Sequence, residues 1–363
     1  MIRIPVATAS RSYEVLLGSG LLAHAGERLG KMLGSRRVFV VTVAPVRRRW
    51  GKVLLRSLAE SGMQADVLEM ADGERFKRLA TLEKLAEKLV KLGADRGAAL
   101  IALGGGVVCD VTGFLASVYM RGVDVIQVPT TVLAQVDAAI GGKTGVNLRS
   151  GKNLLGTFHQ PRAVLIDPGV LSTLPSREYR AGLYEALKCG IIGDADLFRL
   201  FEDRRREILD RDAAIVEKVI ADSVRLKAAV VSADEREGGL RQVLNLGHTI
   251  GHALEAETRY TQLLHGEAVA WGMIAATHIA LGTGKLDSVT AGRITSAILG
   301  FGRLPHMKVQ TMGVVKRLHS DKKTRQGVVH FILPREIGKV EIVSDVPDAI
   351  LRSAVEEIRK LAA

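Results

Sequence analysis

Apolar and polar positions alternate with two different periods along this 363-residue chain. In the first half, short runs rich in β-branched residues alternate with helical patterns such as residues 76–92. Five of the runs predict strands, at residues 38–43, 65–70, 98–103, 125–128 and 164–166. Because strands that alternate with helices pair in parallel through helical crossovers, this half predicts a doubly wound α/β sheet.

The period changes near Pro175. Long stretches with a period near 3.6 residues predict helices at 212–231, 244–256 and 267–281, and only residues 328–333 and 339–343 are typical of strands, as a small hairpin. We therefore predict an α/β nucleotide-binding domain at residues 1–174 and a mainly helical domain at residues 175–363. Ligands of doubly wound sheets bind beyond the carboxyl ends of the strands, so we expect the site there, facing the second domain.

The composition narrows the choice of partner. Hydrophobic residues make up 47% of the chain and charged residues 25%, which is typical of a globular protein. The formal charge of +12 is spread among acidic residues, and eight Phe and five Tyr leave few rings for base stacking. We therefore expect no nucleic-acid partner. A cleft that binds a small anionic substrate is the better use of the positive charge.

The two cysteines, Cys109 and Cys189, are far apart and form no CxxC pair. This spacing is typical of a reducing compartment and excludes a cysteine-built zinc site. Residues 1–10 lack the apolar core of a signal peptide, and no apolar run reaches the length of a membrane span. The expected location is the cytoplasm, with no membrane partner.

Three glycines, at 104–106, lie between a predicted strand and the helical stretch 107–120. At such a turn the backbone can approach a pyrophosphate that faces the helix N-terminus, although a tight turn without a ligand has the same sequence, and GxGxxG is absent. A second polar loop contains Asp72, Glu74 and Lys77. It can hold a ribose or adenine, or it can be an ordinary helix N-cap.

A long polar and glycine-rich stretch covers residues 137–153 and carries Lys143, Lys152 and Asn153. Its GGKT at 141–144 resembles the end of a P-loop, but Asp137 stands where that motif requires its first glycine, so we reject an ATPase. A loop of this length is unusual unless it is functional.

Three of the nine histidines fall within eighteen residues, at His248, His252 and His265. Histidines four apart share a helix face, so His248 and His252 can reach one metal, and Thr249 excludes an HExxH protease motif. Core or surface histidines remain the alternative. A catalytic zinc needs a further ligand, and Glu185 is the candidate; its alternative is an ordinary (i, i+3) helix pair with Lys188.

Together these segments resemble the 3-dehydroquinate synthase family. The resemblance is collinear from about residue 13 to Gly338. The motifs that carry it are GGGVV at 104–108 with Asp110, YMRG at 119–122, QVPTTVLAQVD at 127–137, GGKTGVN at 141–147, GKN at 151–153, LNLGHT at 244–249 and HGEAV at 265–269.

The resemblance implies a reaction and two cofactors. NAD oxidises one hydroxyl of 3-deoxy-arabino-heptulosonate 7-phosphate, phosphate is eliminated, the hydride is returned, and the opened ring closes by an intramolecular aldol step into a carbocycle. A divalent metal, Zn²⁺ or Co²⁺, polarises the oxidised oxygen, and cationic side chains hold the anionic sugar phosphate.

The resemblance also implies the site residues. The metal ligands are Glu185, His248 and His265, whereas spacing alone favours His248 with His252; the resemblance places His252 at the substrate phosphate. The implied catalytic residues are Asp137, Lys143, Lys188, Lys227, Arg241, Asn245 and His252. The implied substrate residues are Arg121, Lys143, Asn153, Lys188, Lys227, Arg241, Asn245, His252 and, of the pair at 322–323, Lys322. The implied NAD residues are Asp72, Glu74, Lys77, Gly105, Gly106, Val107, Val108, Asp110, Thr130, Thr131, Lys143, Lys152 and Thr173. Arg121 is expected to act across the interface of a homodimer.

Two residues depart from the family pattern. Cys109 stands where glycine is usual, and Tyr184 stands where alanine commonly precedes the metal-binding glutamate. We expect Cys109 to be a packing substitution.

Three other functions compete with this interpretation. A sister cyclase would make a deoxyinosose or valiolone; Asn245, His252 and the lysine pair favour the heptulosonate instead. A metal-dependent polyol dehydrogenase would release reduced NAD and would leave the cationic set without a substrate. A non-enzymatic nucleotide-binding module would leave the histidines and Glu185 without a role.

Overall fold

The computed structural model describes residues 1–322 and 329–362, with the side chains of 319–322 outside the description. The chain forms two compact units. Unit 1 contains Met1–Pro175 and Val216–Arg236, and unit 2 contains Ser176–Ile215 and Glu237–Ala363. The assignment of nucleotide binding to residues 1–174 and of substrate and metal binding to residues 175–363 stays a prediction.

A seven-stranded sheet is the centre of unit 1, in the order β1-β2-β9-β6-β5-β3-β4. Its strands are β1 Ile2–Ala7, β2 Ser12–Leu17, β3 Val38–Val43, β4 Ala65–Met70, β5 Ala99–Gly104, β6 Asp124–Pro129 and β9 Ala163–Ile166. Only the edge pair β1–β2 is antiparallel, with Ile2 opposite Leu17; the other neighbours are parallel. The order reverses between β3 and β5, as in a doubly wound sheet, and the predicted fold class is confirmed.

Helices cover both faces of this sheet, which is why its central strands are continuously apolar. Every residue of β3 and β5 is buried. One core contains Leu29, Leu54 and Leu58, and the other contains Leu85 and Leu115. The helices that begin and end in unit 1 are α1 Ala25–Leu33, α2 Ala44–Val46, α3 Lys52–Glu60, α4 Leu79–Lys91 and α5 Gly106–Val118.

Helix α9, Ala213–Ala233, belongs mainly to unit 1 although it comes late in the sequence. The hydroxyl of Ser232 accepts a hydrogen bond from the Ala7 backbone N–H (3.0 Å). The carboxylate of Glu217 accepts one from the Ser19 backbone N–H (3.2 Å). The periodicity of residues 212–231 indicates a helix there, but it does not show which unit the helix packs on.

Part of the stretch at 137–153, which the sequence predicts as loop, is a strand. β7 Lys143–Val146 pairs antiparallel with β8 Leu155–Phe158. The strands are close: a Cβ at Gly156 would lie 1.9 Å from the Thr144 carbonyl oxygen. Glycine is a weak strand former. The same glycines that permit this close approach therefore keep the sequence pattern from predicting the hairpin.

Unit 2 is mainly helical. Besides the start of α9, it contains α6 Ser176–Gly193, α7 Ala195–Asp203, α8 Arg205–Leu209, α10 His248–Glu257, α11 His265–Gly282, α12 Ser288–Leu299, α13 Thr311–Lys322 and α14 Asp348–Leu361. A hairpin of β10 Phe331–Glu336 and β11 Lys339–Val343 completes it. Strand β10 begins at Phe331, three residues after the start of the strand predicted at 328–333. Val328 lies outside the described residues.

The helix predicted at 244–256 begins four residues too early, since α10 starts at His248 and ends at Glu257. A 3₁₀ turn, Leu240–Asn245, ends before α10 begins at His248. Gly247 separates them with φ +79°, a left-handed conformation that favours glycine. Over the described part of the chain, every helix is too short or too polar to cross a membrane.

Candidate functional site

The glycine turn of unit 1 lies at the carboxyl end of β5. Strand β5 ends at Gly104 and α5 begins at Gly106. A Cβ at Gly104 would lie 2.5 Å from the Val108 side chain, and one at Gly105 would lie 3.1 Å from that of Thr131. The first helical hydrogen bond here runs from Cys109 N–H to the Gly105 carbonyl (3.0 Å). The earlier amides of α5, from Gly106 to Val108, belong to its first turn, so they can donate to an anion.

Two threonines follow β6, the strand next to β5. The Thr130 hydroxyl is buried, and its oxygen has no hydrogen-bond partner among the described residues. Thr131 Oγ1 accepts a hydrogen bond from the Ala134 N–H (3.2 Å). A buried hydroxyl without a partner beside a glycine turn fits a site whose ligand supplies the missing hydrogen bond.

Thr173 follows β9, at the same edge of the sheet. Its hydroxyl accepts a hydrogen bond from Trp50 Nε1 (3.0 Å) and donates to the Val170 carbonyl (3.2 Å). The structure therefore gives this predicted NAD residue protein partners.

Lys77 is the centre of a polar network at the end of β4, and it is only 4% exposed. Its ammonium donates to Asp110 Oδ2 (2.5 Å) and to Asn153 Oδ1. Asn147 extends the network: its side chain accepts from the Asn153 backbone N–H (2.9 Å) and donates to Glu74 Oε1 (2.7 Å). We call Lys77, Asp110 and Asn153 the Lys77 group. It joins two predicted NAD residues to Asn153, which the resemblance assigns to the substrate.

Asp137 and Lys227 form a second ion pair in unit 1. Lys227 Nζ donates to Asp137 Oδ1 and to the Asp137 carbonyl, both at 2.6 Å, although ninety residues separate the two in sequence. Helix α9 brings this lysine, which is 6% exposed, to Asp137. Of the other predicted residues here, Lys143 lies exposed on β7, Lys152 is half-buried in the loop after it, and Asp72 is exposed before the turn Glu74–Phe76.

Cys109 is fully enclosed in α5, with Sγ 3.9 Å from the Gly104 carbonyl oxygen. Burial raises the pKa of its thiol far above the ordinary value, so the thiolate is not formed near neutral pH. Tyr184 is also buried, and burial raises the pKa of its phenol. Both geometries are those of packing residues.

In unit 2, four side chains from three helices converge. Glu185 comes from α6, His248 and His252 from α10, and His265 from α11. One nitrogen from each histidine lies within 4.8 Å of the others. Glu185 Oε1 is 3.8 Å from both His248 Nε2 and His265 Nε2. We call Glu185, His248 and His265 the metal group.

These distances suit a divalent metal. Zinc bonds of about 2.0–2.1 Å in a tetrahedron place neighbouring ligand atoms about 3.3 Å apart. The carboxylate of Glu185 is 1% exposed, and its Oε2 accepts a hydrogen bond from Lys188 Nζ (2.5 Å). Its Oε1 has no hydrogen-bond donor among the described residues. A buried carboxylate oxygen that faces two imidazole nitrogens fits a metal ligand better than it fits an ordinary helix pair.

Close helix crossings explain how these side chains meet. A Cβ at Gly266 would lie 1.8 Å from the Ala181 carbonyl oxygen, so the start of α11 lies directly on α6. A Cβ at Gly272 would lie 1.9 Å from the Gly247 carbonyl oxygen, which brings α11 onto the start of α10. The glycines beside the histidines thus allow the helices to approach at the metal group.

Arg177 and Glu267 stabilise the start of α11. Glu267 accepts two hydrogen bonds from the Arg177 guanidinium, at 2.7 and 2.8 Å. It also accepts one from the Leu264 N–H (2.7 Å), which satisfies a backbone donor at the start of the helix that presents His265.

Glu237 is a residue that the sequence analysis missed. Its Oε1 accepts a hydrogen bond from Asn245 Nδ2 (2.7 Å), and its backbone is left-handed, with φ +60°. Arg241, in the adjacent 3₁₀ turn, is 1% exposed. The available signal was an acidic residue before the Gly238–Gly239 pair, close in sequence to two predicted substrate residues. The side chain of Lys322 lies outside the described residues.

Comparison with known proteins identifies relatives over the whole chain. Residues 67–181 match the family "3-dehydroquinate synthase N-terminal" and residues 182–324 match "3-dehydroquinate synthase C-terminal". A 3-dehydroquinate synthase from Koribacter versatilis is 56% identical over 100% of this chain and 99% of its own. One from Solibacter usitatus is 49% identical over 96% and 97%.

Solved structures of other cyclases are also similar. A 2-epi-5-epi-valiolone synthase from Streptomyces hygroscopicus subsp. jinggangensis, with NAD⁺ and Zn²⁺ bound, has a TM-score of 0.90 at 31% identity and covers 98% of both chains. A 2-deoxy-scyllo-inosose synthase, complexed with carbaglucose-6-phosphate, NAD⁺ and Co²⁺, has a TM-score of 0.88 at 27% identity and covers 99% of both chains.

Proposed function

The chain belongs to the 3-dehydroquinate synthase family, and we propose that it converts 3-deoxy-D-arabino-heptulosonate 7-phosphate to 3-dehydroquinate and phosphate. The observation that carries the proposal is the buried Glu185 oxygen without a donor, 3.8 Å from two imidazole nitrogens. The reaction requires a polarised substrate oxygen, and this donor set suits the metal that provides it.

The proposed cofactors are NAD and one divalent metal. When bound, NAD supplies a hydride acceptor that is regenerated within each turnover, and Zn²⁺ or Co²⁺ supplies a Lewis acid. Glu185, His248 and His265 would hold the metal. The amides at Gly105 and Gly106 and the unpaired hydroxyl of Thr130 would hold NAD, as their places at the carboxyl ends of β5 and β6 support.

Charged side chains would bind the substrate and move its protons. In unit 2, Arg241 and His252 supply positive or protonatable groups for its anionic ends, and Lys188 neutralises Glu185 Oε2. In unit 1, Lys227 holds the Asp137 carboxylate at 2.6 Å and keeps it oriented. The remaining proposed substrate residues are Arg121, Lys143, Asn153, Asn245 and Lys322.

Phosphate release distinguishes this proposal from its rivals. Purified protein with NAD and Zn²⁺ or Co²⁺ should release one phosphate per heptulosonate phosphate consumed, and NADH should not accumulate. Steady formation of NADH in step with product would instead indicate a polyol dehydrogenase. Faster turnover of another sugar phosphate than of the heptulosonate would indicate a sister cyclase, although the 56% identity to a 3-dehydroquinate synthase exceeds the 31% and 27% to the cyclase structures.

We also propose a homodimer in which Arg121 acts in the partner's site. Arg121 follows α5 in an exposed turn, where Val118 is 45% and Met120 is 40% exposed. Two exposed apolar side chains beside a cation suit a protein interface. Met120 and Arg121 both have positive φ, 47° and 69°. Such strain, on the order of 1–3 kcal/mol per residue, is found mainly where function requires it.

A further inference from the structure

Helix α10 brings one more carboxylate to the metal group. Glu255, two turns after His248, is 2% exposed. Its Oε2 lies 3.5 Å from Nδ1 of His265, while Nε2 of the same ring lies 3.8 Å from Glu185 Oε1. Each ring nitrogen of His265 therefore has a different buried carboxylate beside it.

This arrangement suits a histidine that binds a metal through Nε2. A neutral imidazole has one lone pair and one N–H, so a ring that offers Nε2 to a metal carries its proton on Nδ1 and needs an acceptor there. His248 has one in the backbone, because its Nδ1 is 3.3 Å from the Leu246 carbonyl oxygen. His265 has Glu255 at the corresponding place.

We propose that Glu255 is a positioning residue of the metal site, which accepts the Nδ1–H of His265 and so fixes Nε2 as the ligand atom. The inference rests on the proposed function, which requires a metal here. An ionised carboxylate at 2% exposure is costly unless charge or hydrogen bonds compensate it, and a site that holds a dication and an imidazole N–H provides both. Glu255 is not itself a ligand in this arrangement.

Glu255→Gln tests the proposal, because it removes the charge and keeps the shape. We expect the affinity for Zn²⁺ and Co²⁺, measured by chelator competition, to fall about 10- to 100-fold, the range found for partners of metal-bound histidines. In EDTA the Tm should not fall, because the variant has one buried charge fewer. Added metal should raise the Tm less than in the unsubstituted protein, because the stabilisation by a ligand follows its affinity.

Glu257→Gln is the matched control. Glu257 lies on the same helix, but it is paired with Arg317 (2.6 Å). Its loss should leave the metal affinity within about twofold of that of the unsubstituted protein. If Glu255→Gln also stays within twofold of this control, the proposal is wrong. A lower Tm in EDTA with unchanged metal affinity would likewise overturn it, since that result marks a purely structural residue.

Glu255→Asp provides a second variant. It keeps the charge but withdraws the carboxylate by one methylene, so we expect weaker metal binding here too, and an unchanged affinity would overturn the proposal. Failure of the proposed function gives a different result: the unsubstituted protein itself would bind no metal and release no phosphate. Normal metal binding and turnover that are insensitive to Glu255 would refute this inference alone.

Discussion

Buried charge is balanced by protein groups in the Lys77 group of unit 1, but only in part in the metal group of unit 2. The Lys77 ammonium has an acidic partner at 2.5 Å, and a second contact with Asn153, so its charge is balanced within the protein. In the metal group, one oxygen of Glu185 is paired with Lys188, but the other has no donor among the described residues. The charges of the first group are balanced within the protein, whereas the second has the donor set of the proposed cation site.

The largest expected effect is on the metal group. Glu185→Ala, His248→Ala and His265→Ala should each lose bound metal and nearly all turnover, because each removes one of the three proposed protein ligands. His252→Ala should keep the metal, although its ring nitrogen lies in the same cluster. Metal analysis of purified variants measures this. A His252→Ala protein without metal, together with a His265→Ala protein that retains it, would reverse the ligand assignment.

The Lys77 group should respond in stability rather than in metal content. Lys77→Met leaves the Asp110 carboxylate without its ammonium partner, so the free energy of unfolding should fall by about 3 kcal/mol. This is the low end of the range for a broken buried ion pair, because the Asp110 side chain is 20% exposed. Chemical denaturation without NAD measures it. The double variant Lys77→Met, Asp110→Leu is the control, since removal of both charges should cost less. If Lys77→Met is as stable as the unsubstituted protein, the ion pair does not stabilise unit 1.

Complementation between two inactive variants tests the proposed dimer. Arg121→Ala and His265→Ala should each be nearly inactive. After mixing in equal amounts and subunit exchange, about half of the dimers contain both chains, and each of these has one intact site. Activity should therefore return to about a quarter of the unsubstituted level. If exchange is proven by mass spectrometry and activity stays at the parental level, Arg121 does not act in the partner's site.

Cys109 should give the smallest effect. Because the thiol is buried and its pKa is raised, Cys109→Gly should keep activity within a few-fold. The stability loss should be about 0.3 kcal/mol from helix propensity, with some lost packing in addition. A thiol reagent should leave Cys109 unmodified in the native protein and label it after denaturation. A collapse in activity, or rapid native labelling, would assign the thiol a chemical role.

Most of the sheet could be predicted, because its central strands are buried on both faces and are continuously apolar. The two N-terminal strands were missed. β1 alternates buried and exposed residues and contains Pro5, which is tolerated since β1 is an edge strand. The hairpin β7–β8 was missed because its pairing depends on close backbone contact at Gly145 and Gly156, which no local pattern reveals.

The sequence by itself determined the alternation of strands and helices, the chemical types at the site and, through collinear motifs, the family. It did not determine which side chains contact each other. Only the tertiary structure decided that Lys227 binds Asp137, that Asn153 contacts Lys77, and that Glu255 lies beside His265. The physical reason is that periodicity reports which face of an element is buried. The approach of two elements depends on contacts between residues far apart in the chain, such as Gly266 on the Ala181 backbone.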